Sequence, residues 1–280
     1  MDVTIGPNPD PAVNPFYQSY DYMGGGPVYR ITDGPWGTGN LLMVYHAEIP
    51  TITTQSFDSI LALAASTDNG LSWTDLGEIV RVNQGYRTDM DGFDIGDSTL
   101  VVSPDHKYFY IFFPDWRANG STHWGNSVTP VSVARAPIAA VAAAAFGANP
   151  HAVAFQKYYA GWNLDQGLGG YSQGLNPTAS YGGNLQVAYN AALQRYQMLI
   201  NAGVVVYYSE SLDGLSWSPW SLLYDFRNEK DQPSVYVAFV GMGDDPSILG
   251  KQFYIFYTSY PNTGAGWTGA SVHRFTVSCP

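Results

Sequence analysis

The stretch Ser66-Thr67-Asp68-Asn69-Gly70-Leu71-Ser72-Trp73 returns in shortened form as Ser211-Leu212-Asp213-Gly214-Leu215-Ser216-Trp217. In each copy the Asp side chain bonds nearby backbone N–H groups and the Gly accepts positive φ, so the segment is a tight reversal. The Trp at its exit locks the turn against the next strand. Each copy therefore reads as a hairpin clasp, and a chain that repeats one is built from antiparallel strands in recurring units.

Alternating segments flank the clasps. The first unit reads as strands at Val28 to Thr32, Leu41 to His46, Ile60 to Ala65 and Glu78 to Val82. A second covers Ser98 to Val102, Tyr108 to Phe113, Val131 to Ala136 and Ala152 to Tyr159, with an Ala-rich helix predicted over Ile138 to Phe146. The third runs Leu185 to Tyr189, Tyr196 to Ile200, Val204 to Ser209 and Trp220 to Tyr224. The fourth has Val235 to Val240, Phe253 to Thr258 and Val272 to Val277, and its outer strand is expected to come from the N-terminus. The second strands, Asn40 to Tyr45, Lys107 to Phe112, Arg195 to Ile200 and Lys251 to Phe256, align without gaps.

Composition limits the partners. Net charge is -11, so there is no basic surface to neutralise phosphates or an anionic membrane, and neither nucleic acid nor membrane is expected as a partner. Aromatics at 15% beside 30 Gly suit short strands joined by tight turns, and they also suit a surface that stacks on sugar rings. With Cys279 as the single cysteine there is no intrachain disulfide and no cysteine metal cluster; no cofactor is expected, a structural Ca²⁺ on the axis being left open because no ligand spacing specifies one.

The first clasp matches the Asp-box pattern, S-x-D-x-G-x-x-W, and the second its shorter variant. The chain thereby resembles the Asp-box (BNR-repeat) β-propeller glycoside hydrolases, both sialidase-like and five-bladed family 43-like. The resemblance implies an all-β, single-domain propeller of four-stranded antiparallel blades over residues 1 to 280, four of them recognisable and five expected. A β-sandwich is the competing fold. It also implies an axial pocket on the face away from the clasps, where first strands start, second strands end and third strands start.

That rule removes Asp68, Asp213 and Glu210 as turn residues. It also rejects Asp244-Asp245-Pro246-Ser247, which resembles the catalytic-base motif of family 43 enzymes but falls on the clasp face. The carboxylates left are Asp21, Glu48, Asp58, Asp94, Asp97, Asp115 and Asp231. Glycoside cleavage needs one protonated and one ionised carboxyl across the scissile bond. Asp97 and Asp231 open the innermost strands of their units and form the expected pair, with Glu48 as the general acid. His46 and Asn201, at equivalent places in aligned second strands, are candidates for bonding sugar hydroxyls, and Trp116 and Tyr260 for stacking on a ring. Asp58, Asp94 and Asp115 complete the candidate binding set.

The order Val28-Tyr29-Arg30-Ile31-Thr32, then Asp58 ahead of the clasp, is similar to the opening of sialidases. That likeness implies that Arg30 binds a substrate carboxylate and Asp58 acts as acid/base, although Thr32 stands where the sialidase motif has Pro. The resulting expectation is a secreted, monomeric glycoside hydrolase acting on an oligo- or polysaccharide. The alternatives are a sialidase-like exo-glycosidase and a non-catalytic lectin, though a lectin would repeat its binding residues in every blade. Gly182-Gly183-Asn184 stands where Asp97 would recur.

Overall fold

The computed structural model describes residues 5–6, 22–32, 34–36, 39–50, 57–81, 83, 95–96, 98–115, 130–162, 168–175, 184–202, 204–227, 231–261 and 270–279. The chain divides into two compact units, Met1–Trp124 with Ser132–Gly174 and Gly125–Val131 with Leu175–Pro280.

The first unit holds two sheets. One contains β1 (Ile5–Gly6), β2 (Tyr22–Arg30), β3 (Leu41–Pro50), β4 (Phe57–Ser66) and β5 (Trp73–Val80), in the order β1-β5-β4-β3-β2. The other contains β6 (Thr99–Val102), β7 (Tyr108–Pro114), β8 (Val131–Pro137) and β9 (Gln156–Lys157), laid side by side in chain order. Helix α1 (Ile138–Phe146) follows β8 over the residues predicted for it and buries Val141, Ala142 and Ala145. Alternation along β3 serves two cores. Leu42 and Val44 join Phe109, Ile111 and Phe113 of β7 in one, while Leu41, Met43, Tyr45 and Ala47 pack with Trp73 in the other.

The second unit also holds two sheets. β10 (Leu185–Asn190), β11 (Arg195–Ala202), β12 (Val205–Ser211) and β13 (Ser221–Asp225) pair in succession, and β15 (Ile248–Leu249) runs parallel beside β10. β14 (Asp231–Gly241), β16 (Gln252–Pro261) and β17 (Ser271–Ser278) make the fourth sheet. Its core gathers Phe239, Phe253 and Ile255 with Leu199 and Phe226. The four antiparallel sheets have the strand order of propeller blades, and the aligned second strands are β3, β7, β11 and β16.

Several boundaries differ from expectation for physical reasons. β2 begins at Tyr22 rather than Val28 and runs through Gly24-Gly25-Gly26-Pro27, with a register shift between Gly25 and Val28. A Cβ at Gly26 would collide with the Val44 carbonyl oxygen, so this glycine is what lets the bulged strand lie close on β3. β5 begins at the clasp Trp73, well before the predicted Glu78, through another irregular register in which Gly77 takes φ 106. The predicted strand Ala152 to Tyr159 forms a ladder with β8 at Gln156 and Lys157, extended by Tyr158 N donating to Val133 O (2.9 Å). Earlier in that stretch, Ala152 N donates to Leu76 O (2.8 Å) and Phe155 N to Ile79 O (3.0 Å), committing those donors to β5 of the first sheet.

The N-terminal strand requires a correction. β1 does not complete the fourth sheet but adds in parallel to β5, pairing Ile5 with Trp73 and Gly6 with Thr74. Among the described residues the fourth sheet keeps three strands.

Candidate functional site

Each sheet has two ends, and the clasps mark one of them. In the first clasp Ser66 Oγ donates to Asp68 Oδ1 (2.7 Å), and Asp68 accepts Ser72 N (2.9 Å) and Ser72 Oγ (2.6 Å). Asn69 and Gly70 both take positive φ, 63° and 89°. These bonds, those from Ser72 foremost, hold the exposed Asp68 carboxyl down at about 2. The second clasp repeats the device: Ser211 Oγ donates to Asp213 Oδ1 (3.0 Å), Ser216 N to the same oxygen (2.7 Å), and Trp217 Nε1 to Gly214 O (3.1 Å). A third Ser/Asp turn, unmarked by Gly or Trp, joins β6 to β7, where Ser103 Oγ donates to Asp105 Oδ1 (2.7 Å). Its Ser103-Pro104-Asp105 is the signal that sequence reading passed over.

At the opposite end of the first sheet, Glu48 pairs across to Tyr22 on one side and Ser59 on the other. Strand period places His46 and Glu48 on one face of β3, and His46 Nε2 lies 3.9 Å from Glu48 Oε1. Tyr22 meets the His46 ring edge-on with centroids 6.1 Å apart. Its role escaped the sequence reading because β2 was expected to start beyond it. The Nε2 atom is buried and has no hydrogen-bond partner among the described residues. Burial pushes His46 down to about 4, leaving the imidazole neutral at pH 7, and burial pushes Glu48 up. A half-buried carboxyl held toward its protonated form beside a neutral imidazole can donate a proton.

The remaining candidates fall into three groups. Asp21, Asp94, Asp97 and Trp116 lie outside the described residues. Asp58 pairs with Ile49 at the Glu48 end of β4; Asp231 opens β14 opposite Pro261, with Tyr260 next in register opposite Gln232. Asn201 is 2% exposed in β11. Leu41 pairs with Ser66 and Tyr196 with Ser211, the first residue of each clasp, so His46 and Asn201 do sit at equivalent places.

Two candidates are corrected. Arg30 pairs with Leu41, which pairs with Ser66, so it stands at the clasp end, where its Nη2 donates to Asn69 Oδ1 (2.7 Å). From Ser66 back to Asp58 is eight residues along β4, roughly 26 Å of strand, and Arg30 and Asp58 cannot grip one sugar as the sialidase likeness implied. Asp115 is at the expected end of its strand but only 1% exposed, accepting Ser172 Oγ at 2.5 Å. Its charge favours the buried Lys157 ammonium, which donates to the Arg81 and Gly170 carbonyls and which burial pulls down to about 8. Asp115 thus belongs to a buried polar knot. The rejected Asp244-Asp245 pair lies at the far end of β14 from Asp231, where Asp245 caps its own turn by accepting Ser247 N (2.9 Å).

Among solved structures the chain is similar to an exo-inulinase from Aspergillus awamori, with TM-score 0.53 and 11% identity over 94% of this chain and 50% of that one. It is similar also to a fructofuranosidase from Schwanniomyces occidentalis complexed with fructosylnystose, with TM-score 0.50 and 11% identity over 92% and 44%. An N-acetylgalactosamine deacetylase from F. plautii in complex with blood group B trisaccharide matches at TM-score 0.51 and 10% identity over 91% and 73%. The fold is that of a β-propeller. At these identities the likeness carries the fold alone, and the deacetylase shows that different chemistry is found with it. Neither a protein-family model nor a curated protein sequence matches the chain. Among the described residues no helix is long and apolar enough to cross a membrane.

Proposed function

We propose that the protein is a glycoside hydrolase of the propeller type, secreted and monomeric, acting on an oligo- or polysaccharide. The observation that carries this reading is the Glu48–His46 pair at the end of β3 away from the clasp. Its neutral imidazole and its carboxyl pushed up by burial suit a general acid.

In this reading Glu48 protonates the leaving glycosidic oxygen, and an ionised carboxylate attacks the anomeric carbon or activates water. Asp97, two residues before β6, is the first candidate for that second role. Asp231, which opens β14, is tested separately by substitution. His46 and Tyr22 orient the acid. Asp58, Asp94, Trp116, Asn201 and Tyr260 remain candidates for contacts to sugar hydroxyls and ring faces. Arg30 and Asp115 have no place in the substrate set.

The test is turnover on a panel of arabinans, xylans, fructans and sialosides. Hydrolysis of at least one neutral glycan is expected, abolished by Glu48→Gln and by Asp97→Asn or Asp231→Asn. Binding across the panel without turnover overturns the enzymatic reading in favour of a lectin, and activity that survives Glu48→Gln removes the acid assignment.

A further inference from the structure

The face of the second sheet turned away from the shared core is aromatic and carries one cation. Phe109, Ile111 and Phe113 of β7 and Ala134 and Ala136 of β8 fill the core. Strand period therefore sends Tyr108, Tyr110 and Arg135 to the other face. There the Arg135 guanidinium carbon lies 4.7 Å from the Tyr108 ring centroid and 4.1 Å from that of Trp162. Tyr110 and Tyr158 flank Trp162, with ring centroids 5.7 Å and 5.2 Å away. All five side chains are half-buried.

Stacking engages only the flat faces of a guanidinium. Its five N–H donors point outward in the plane of the group, and each requires an acceptor. Among the described residues Arg135 has no ion pair and no side-chain hydrogen bond, and its Nε is buried without a partner. Other cations of this unit are engaged: Arg30 with Asn69, Lys107 with Asp105, Lys157 with two carbonyls. Among the described residues no acceptor meets the Arg135 fork, whose geometry matches a bidentate oxyanion.

We infer that Arg135, with Trp162, Tyr110 and Tyr158, forms a binding site for an oxyanion-bearing sugar, Arg135 taking the charged group and the aromatic rings the sugar face. A single fixed cation on a chain of net charge -11 suits a ligand with one isolated anionic group per ring and disfavours a dense polyanion such as nucleic acid. Half-exposed aromatic rings beside the fork supply the flat apolar surface against which a sugar's C–H face packs. The carboxylate of a uronic acid and the sulfate ester of a sulfated sugar share this chemistry. The site shares no residue with the Glu48 pair and is independent of the hydrolase reading.

The experiment is calorimetric titration of the full chain with three probes: trigalacturonate, a sulfated galactotriose and neutral galactotriose. Either anionic probe is expected to bind, more weakly at higher salt, and the neutral probe is not. Arg135→Gln and Arg135→Lys are both expected to weaken binding about tenfold or more, since lysine keeps the charge but lacks the fork. Trp162→Leu reports the stacking half and is expected to weaken binding while leaving its salt dependence in place. Uronate binding alone, or sulfate binding alone, with this Arg135 dependence names the source of the anion. Neutral galactotriose binding as well as the anions overturns the proposal, as does anion binding untouched in Arg135→Lys or no binding of either anion. If Arg135→Gln fails to fold, Arg135→Lys and Trp162→Leu, each checked by thermal unfolding, decide the matter.

Discussion

The two ends of the first sheet treat a carboxylate in opposite ways. At the clasp end Asp68 is exposed and ringed by donors from Ser66 and Ser72, which hold it ionised at about 2. At the other end Glu48 has no such ring of donors among the described residues; burial dominates and pushes it up, toward the protonated form. The first arrangement stabilises a turn and yields an inert anion. The second disfavours charge and holds the carboxyl toward its protonated form, the state a general acid needs. The comparison separates acids that build the fold from acids that can act, although both stand at strand ends in one sheet.

The sharpest way to break the comparison is Glu48→Gln. If the buried end is the chemical one, kcat on the best substrate of the glycan panel falls about a thousandfold with little change in KM, the range for loss of a general acid. Stability should hold or rise slightly, because the amide is not penalised by burial as the carboxylate is. A mutant equally active and less stable would make Glu48 a builder like Asp68. Trp73→Ala probes the other end through packing. Trp73 is 6% exposed against Leu41, Met43 and Ala62, so about 3 to 4 kcal/mol of unfolding free energy is expected to be lost in urea titration. The kcat per folded molecule should be unchanged.

His46 offers a test by pH. Its folded value, about 4, lies below the ordinary 6.5, so between those values the unfolded chain takes a proton that the folded protein refuses. Stability therefore rises with pH across this window, and acidification from 6.5 to 4 costs up to roughly 3 kcal/mol from this group. Glu48 has the opposite sign, since a raised carboxyl favours folding most when protonated, and it flattens part of the slope. His46→Asn places here the residue that the third sheet carries at Asn201, and it should remove the histidine component of the slope. An unchanged slope in denaturation series at successive pH values would show that His46 is not held neutral.

How much of this was legible follows from what each residue interacts with. Second strands and clasps were readable because their signals are local: alternation in Tyr108–Pro114, Asp and Gly at fixed offsets in the turns. The equivalence of His46 and Asn201 followed from the same alignment. Non-local partners were invisible. Gly24-Gly25-Gly26 reads as a loop until Val44 is known to lie against Gly26. Asp115 reads as a surface acid until Ser172 and Lys157, far along the chain, close over it. Arg30 matched a motif whose meaning depends on which end of β2 it occupies, and the bulge that lengthens the strand toward Tyr22 leaves Arg30 at the clasp end.

The smallest effect, and the one that tests the inert end, is Asp68→Asn. An amide keeps one oxygen for Ser66 Oγ and Ser72 N and can turn its NH2 to Ser72 Oγ, but all three bonds lose the carboxylate charge that strengthens them. The folded value of Asp68 is depressed, so its contribution is present above the ordinary carboxyl value of 3.8 and is lost as pH falls through about 2. Mutant and wild type should therefore differ by a small drop in Tm at pH 7 and converge in strong acid. Solvent around the exposed turn keeps the drop small, and kcat/KM should not move because Asp68 stands at the opposite end of the sheet from Glu48. A fall in kcat/KM larger than the loss of folded protein would place substrate at the clasp end, and the division of the sheet into a building end and a reacting end would have to be redrawn.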